Sequence, residues 1–146
     1  MKIQQLSLFL ENRPGHLYSV CKALADAKVN ILTLSLADTQ QFGILRLIVR
    51  DWRKAKDVLE KAGCVVNVTE VVATEVADRP GGLADVLKVI HDAKLNVEYM
   101  YAFTFRHEDK AVLVFRFDDP DAAAKALQAA GVRVIGSVEL YGRAGG

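Results

Sequence analysis

The chain has 146 residues, 51% hydrophobic and 25% charged, with 19 basic against 18 acidic side chains. A net charge of +1 gives no electrostatic reason to expect nucleic acid or an anionic membrane as a partner. Two cysteines, Cys21 and Cys64, stand 43 residues apart with no thiol or histidine at metal spacing, which predicts a reduced, cytoplasmic protein without a metal site. No apolar run approaches the ~20 residues needed to cross a bilayer, and Met1-Lys2 leads into polar Gln4-Gln5 rather than a signal peptide.

From the N-terminus, Leu6, Leu8 and Leu10 alternate with Gln5, Ser7 and Glu11, the period of a half-buried strand. Arg13-Pro14-Gly15 then turns the chain: proline presets φ at the first turn position and glycine supplies φ > 0 at the next. Leu17, Val20, Cys21, Leu24 and Ala27 form one stripe of a helix. Two strands are predicted next, over 31–38 and 44–50, joined by a polar loop from Thr39 to Gly43. Asp51 sits where a helix N-cap is wanted. Ala55, Val58, Leu59 and Ala62 form a second helical stripe, Gly63 suits the C′ stop, and a last strand runs over 65–69.

The chain then says the same thing again. Arg79-Pro80-Gly81 with Leu83 repeats Arg13-Pro14-Gly15 with Leu17, 66 residues on (79 − 13), and Ala93-Lys94-Leu95-Asn96-Val97 repeats Ala27-Lys28-Val29-Asn30-Ile31 at the same shift. By Asp119 and Gly131, which answer Asp51 and Gly63, the shift is 68. Duplication followed by a two-residue gain in the intervening hairpin loop explains both. The second copy predicts a helix on Leu83, Val86, Leu87, Ile90 and Ala93, strands over 97–105 and 111–117 around His107-Glu108-Asp109, a helix opened by Asp119-Pro120, and a strand over 132–140. The order strand-helix-strand-strand-helix-strand is the split βαβ of ferredoxin-like folds. The fold class is therefore α+β: two βαββαβ repeats, antiparallel sheets with the helices on one face. The predicted domains are 1–69 and 70–141, with Gly142 to Gly146 a flexible tail.

Function must come from a site, because this fold hosts many. The first strand-helix loop lacks Cys-x-x-Cys, and the aromatic and basic signature of an RNA-binding sheet is faint and confined to Lys110–Phe117. His16, His91 and His107 recur in neither copy, and no nucleophile or phosphate-loop motif is present. Catalytic residues and cofactors are accordingly not expected. What recurs is polar and local: Asn12/Asp78, Arg13/Arg79, Pro14/Pro80, Gly15/Gly81 and Asn30/Asn96. Within one copy the turn and the asparagine fall at opposite ends of the first helix, so a second copy would be needed to bring them together.

The stretch Leu10-Glu11-Asn12-Arg13-Pro14-Gly15-His16-Leu17 with Lys28-Val29-Asn30-Ile31 resembles an ACT domain, the amino-acid-sensing module of many biosynthetic enzymes. So does Val76-Ala77-Asp78-Arg79-Pro80-Gly81-Gly82-Leu83 with Lys94-Leu95-Asn96-Val97. The resemblance implies a tandem ACT protein that binds a free amino acid and transmits occupancy to a regulated enzyme or other protein. It places the ligand at Asn12, Arg13, Pro14, Gly15, His16, Leu17, Asn30 and Ile31, and at Asp78, Arg79, Pro80, Gly81, Gly82, Leu83, Asn96 and Val97. Helix N–H groups suit a carboxylate, and an asparagine amide donates and accepts together, as a zwitterion requires.

Each residue also has a plainer reading. The Pro-Gly pairs serve as turn formers, Asn30 and Asn96 as αL residues closing a helix-to-strand turn, Asn12 and Asp78 as local caps, and Arg13 and Arg79 as solvated charges. At the level of the whole chain the alternative is a non-sensing structural or subunit-interaction module of the same fold. Ile44, Ile48, Val112 and Val114 fall on the face away from the helices, where a monomer would leave them wet, and this predicts a homodimer. Tyr99, Tyr101, Phe103 and Phe105 would share one face of a strand, as a contact surface or as core.

Overall fold

The structure is a computed structural model that describes residues 1–38 and 40–144, with every side chain among them except those of Phe105 and His107. The chain divides into two compact units, one of Gln4–Thr69 and one of Glu70 onward together with Met1–Ile3.

The first unit runs β1 (Ile3–Glu11), α1 (His16–Asp26), β2 (Ile31–Asp38), β3 (Phe42–Val49), α2 (Trp52–Lys61) and the opening of β4 (Val66–Ala77). Its strands lie in the order β2-β3-β1-β4. Strand β1 runs antiparallel to β3 with Leu6 opposite Leu47 and Leu8 opposite Leu45. That face is buried against Val20 and Leu24 of α1 and Ala55 and Leu59 of α2. Each such leucine removed from water is worth about 1.5–3 kcal/mol, so the alternation of β1 and the helical stripes fix the same layer from both sides. Asp51 caps α2 by accepting from the Lys54 N–H at 3.1 Å, and Gly63 takes the left-handed stop at φ 93°.

The second unit continues β4 and adds α3 (Gly82–Asp92), β5 (Val97–His107), β6 (Lys110–Phe117), α4 (Pro120–Ala129), β7 (Val134–Ile135) and α5 (Ser137–Ala144). Here β4 lies between β6 and β7, and β5 flanks β6. Val72, Val76, Phe115 and Phe117 pack on Val86 and Ile90 of α3 and Ala123 and Leu127 of α4. Asp119 caps α4 with Pro120 in its first turn. The chain is thus two βαββαβ repeats with antiparallel ladders.

Several expectations are corrected. The last strand, expected over 132–140, is only Val134–Ile135, and α5 follows it. Gly142, Arg143 and Ala144 are not a flexible tail but the last turn of α5; the remaining tail residues, Gly145 and Gly146, lie outside the described residues. Helix α5 is held by Arg143, whose Nη2 donates to Glu75 Oε1 at 2.6 Å. Glu75 pairs in register with Val112, on the face away from α3 and α4, so the helices are not all on one face. The Lys2 ammonium ties the N-terminus to the same unit through Glu70 at 3.1 Å and Asp121 at 3.2 Å.

The two-residue gain lies in a strand, not in the hairpin loop. Between the pairs Ala102↔Leu113 and Arg106↔Ala111, β5 advances four residues while β6 advances two. A one-residue bulge occurs in both copies, before Thr33 and before Tyr99. The larger one is peculiar to the second and breaks the aromatic alternation: Tyr99 and Tyr101 pair with Arg116 and Val114, whereas Phe103 is buried within the bulge. The expectation for the Phe105 side chain falls outside the described residues. Ile48, Val112 and Val114 are 0% exposed in the single chain, so these three leave nothing for a partner to cover, whereas Ile44 is only partly buried. Finally, the left-handed residues after α1 and α3 are Lys28 (φ 62°) and Lys94 (φ 58°), not Asn30 and Asn96.

Gly82 has a steric reason. A Cβ there would meet the Ala77 carbonyl oxygen at 1.9 Å and its carbon at 2.9 Å, because α3 starts directly against the end of β4. Gly82→Ala should therefore cost about 1–3 kcal/mol, while Gly136→Ala, with nothing within 4 Å of its Cβ, should leave the chemical-denaturation midpoint nearly unmoved. Equal midpoints for the two variants would contradict the close packing. Partial burial would by itself raise the Glu75 pKa; the hydrogen bond from Arg143 and the charges of Arg143 and Arg133 outweigh it and hold the carboxyl below its ordinary value. A lowered folded pKa contributes stability above the unfolded value and loses it as pH falls through the folded one. Glu75→Gln should cost about 2 kcal/mol at pH 7, and denaturant titrations should show the difference shrinking below about pH 4. A difference independent of pH would refute the role assigned to this carboxylate.

Candidate functional site

At the first turn, β1 ends at Glu11 and Pro14-Gly15 delivers the chain into α1. Gly15 sits at φ 91° and ψ −20° as the N-cap residue and offers no side-chain cap. The His16 N–H reaches the Arg13 carbonyl at 3.4 Å, and the Ser19 N–H bonds to Gly15 at 2.9 Å. The β2–β3 loop clamps the turn: the Asn12 N–H donates to Gln41 at 2.9 Å and the Asn12 amide Nδ2 to the Gln40 carbonyl at 2.9 Å. Arg13 Nε donates to His16 Nε2 at 2.5 Å and lies 3.1 Å from the Glu11 carboxylate.

Beside this turn is a cavity of about 200 Å³ lined by Leu10, Glu11, Asn12, Arg13, Leu17, Leu36, Asp38 and Gly43. It combines a guanidinium, two carboxylates, an amide and apolar walls of leucine. A larger cleft of about 530 Å³, sharing Leu10 and Glu11 with this cavity, runs past His16, Ser19 and Val20 to Gly63, Cys64 and Val65. Burial pushes the Cys64 thiol up, which favours the unreactive protonated form there.

The second turn repeats the backbone and changes the chemistry. Gly81 is left-handed at φ 85°, the Gly82 N–H reaches the Arg79 carbonyl at 3.0 Å, and the Asp78 N–H bonds to Asp109 at 2.9 Å. Its charges are satisfied internally: Arg79 pairs with Asp85 at 2.9 Å and Asp78 with Arg106 at 3.0 Å. Where the first turn carries His16, the second has Gly82 against the Ala77 carbonyl. The two turns are alike in φ and unlike in the groups they present.

Asn30 and Asn96 lie where their helices give way to strands, both exposed. The eleven residues of α1 span about 16 Å, so within one repeat Asn30 and the Pro-Gly turn do not meet. Asn30 instead lines its own cavity of about 210 Å³ with Lys28, Val29, Arg50, Asp51 and Lys54. Ile31 and Val97 pack against the cores of their repeats, which leaves their backbones as the parts able to face a ligand. Leu17 and Leu83, at 38% and 37% exposed, remain accessible. Leu36, Asp38 and Gly43 were not among the residues expected at the turn. They reach it only through the β2–β3 hairpin, and no spacing in the linear sequence ties them to Pro14-Gly15. Among the described residues, no three His, Cys, Asp or Glu side chains group closely enough to hold a metal ion, and no helix is long and apolar enough to cross a membrane.

Comparison with known proteins bears on the family and the fold. An aspartokinase from Corynebacterium glutamicum is 28% identical over 136 residues, covering 82% of this chain and 31% of that protein; the chain thus spans about a third of this relative. Protein BT0572 from Bacteroides thetaiotaomicron has a crystal structure that superposes with a TM-score of 0.89 at 36% identity, over 97% of this chain and 96% of that one. The ligand-free regulatory subunit of aspartate kinase from Thermus thermophilus shares the fold, with a TM-score of 0.64 at 17% identity over 87% and 91% of the two chains. The family described as ACT domain pair matches residues 1–141, and the chain belongs to it.

Proposed function

We propose that this protein is a non-catalytic regulatory sensor that binds a free amino acid at its Pro-Gly turns and passes occupancy to a partner protein. The observation that carries the reading is the cavity at the first turn. It sets Arg13, Asp38 and the Asn12 amide around apolar Leu10, Leu17 and Leu36, a small space with partners for both charges of a zwitterion and for an apolar stem. Helix α1 begins there with no side-chain cap, and its first N–H groups suit the carboxylate. The site residues are Asn12 to Leu17 in the first repeat and Asp78 to Leu83 in the second. Asn30 and Ile31, or Asn96 and Val97, complete each site. The first turn is the stronger candidate, because Arg13, although paired with Glu11, lines an open cavity there together with Asp38 and the leucines.

The αL positions taken by Lys28 and Lys94 remove the turn-forming explanation for Asn30 and Asn96 and favour a contact role. Asn30→Ala and Asn96→Ala should then weaken amino-acid binding roughly ten- to a hundredfold, the worth of a hydrogen bond to a charged group. Their melting temperatures should not move. A fall in melting temperature with unchanged affinity would return both residues to a structural role. In a thermal-shift screen of the twenty amino acids, the cognate one at 100 times its Kd should stabilise the fold by about 2.7 kcal/mol. Arg13→Gln should abolish that shift, and Arg79→Gln should reduce it less. A screen without any stabilising amino acid would favour a subunit-interaction module instead.

A homodimer belongs to the same proposal, resting on Phe9 and Phe42 beside Ile44 and not on Ile48, Val112 and Val114. Phe9 pairs in register with Ile44, and Glu11 with Phe42, on the sheet face away from α1 and α2. Phe9 and Phe42 are 63% and 47% exposed. Light scattering should give a mass about twice the 16.0 kDa of one chain, returning to one chain for Phe9→Lys; a monomeric native protein would reject the dimer.

A further inference from the structure

We propose that the cavity at the end of α1 in the first repeat is an anion site in its own right, taking a carboxylate or phosphate group of a small molecule. The cavity, about 210 Å³, is lined by three cationic side chains, Lys28, Arg50 and Lys54, and by the Asn30 amide. Its one carboxylate, Asp51, is already engaged in capping α2 at the Lys54 N–H. The Lys28 and Lys54 ammonium groups make no ion pair among the described residues. Other lysines on these helices do: Lys22, Lys56 and Lys61 each hold a carboxylate one helical turn away. Like charges gathered around one concavity repel, and an oxyanion relieves that repulsion while accepting from ammonium, guanidinium and amide together.

The second repeat separates what the fold requires from what the charge adds. Lys28, Asn30 and Asp51 recur as Lys94, Asn96 and Asp119, but Arg50 and Lys54 are answered by Asp118 and Ala122. The αL lysine and the aspartate cap are therefore demanded by the helix ends of both copies. Arg50 and Lys54 are not, and they turn a balanced helix junction into a basic one. The site shares Asn30 with the amino-acid reading, but not its premise: it needs no amino group on the ligand and no second copy of the fold.

The test is an NMR titration of the ¹⁵N-labelled full chain in low-chloride zwitterionic buffer, first with inorganic phosphate and then with succinate. Saturable shifts of the Asn30, Asp51 and Lys54 amides are expected. A response to phosphate alone assigns a phosphoryl ligand, a response to succinate alone a carboxylate, and a response to both a general oxyanion site. Arg50→Gln with Lys54→Gln should weaken binding roughly tenfold or more without lowering the melting temperature, and Lys94→Gln should bind like the native chain. If the double variant is poorly folded, Lys54→Gln alone serves, since this side chain is exposed on α2. Absence of saturable shifts with either anion, or unchanged affinity in the folded variants, overturns the proposal. Neither probe is an amino acid, so that failure would leave the sensor reading untouched.

Discussion

The amino-acid reading of this protein depends on a glycine held in the left-handed region between a strand and a helix. At φ 91° and 85°, Gly15 and Gly81 occupy a conformation that costs an L side chain roughly 1–2 kcal/mol. The preceding proline fixes the other half of the turn. This geometry feeds β1 into α1 in so few residues that the helix starts without a side-chain cap. Its first N–H groups and its dipole then point at the turn itself. Space around the Gly15 Cβ position is open, with no atom within 4 Å, so the glycine there answers to backbone conformation and access, not to crowding.

On that shared backbone the two repeats have drifted in chemistry. The first keeps a cavity with a cation, carboxylates and leucine walls; the second closes its charges on one another through Arg79–Asp85 and Arg106–Asp78. The difference extends to the far ends of the helices, where Arg50 and Lys54 face Asn30 in the first repeat and Asp118 and Ala122 take their places in the second. Exposed ion pairs such as those at the second turn contribute little to stability, on the order of 0–1 kcal/mol. Their consequence is chemical: a ligand charge at either turn competes with a side chain already in place, Glu11 for Arg13 and Asp85 for Arg79.

Much of this was legible in the sequence because it is local. Alternation in Leu6, Leu8 and Leu10, the helical stripes, the caps at Asp51 and Asp119 and the stops at Gly63 and Gly131 each report a periodicity or a backbone requirement that neighbouring residues settle. What was missed depends on long-range pairing. Val132, Val134, Val138 and Leu140 fall on one face of a two-residue alternation interrupted at Gly136, yet β7 ends at Ile135 and α5 is stabilised by Arg143 reaching Glu75, 68 residues away. The alternation of Tyr99 to Phe105 hides a bulge visible only against β6. The burial of Ile48 and Val112 could not be read from which face they occupy, since nothing in the linear pattern says what covers that face. At the site, Pro14-Gly15 announced itself twice, whereas Leu36 and Asp38 arrive by way of a hairpin.

The most direct measurement is a crystal structure of the full chain with the amino acid that stabilises it most. The account predicts electron density for that amino acid at the first turn, its carboxylate on the N–H groups that open α1 and its ammonium within reach of Asp38. Density confined to a place remote from both Pro-Gly turns would contradict it.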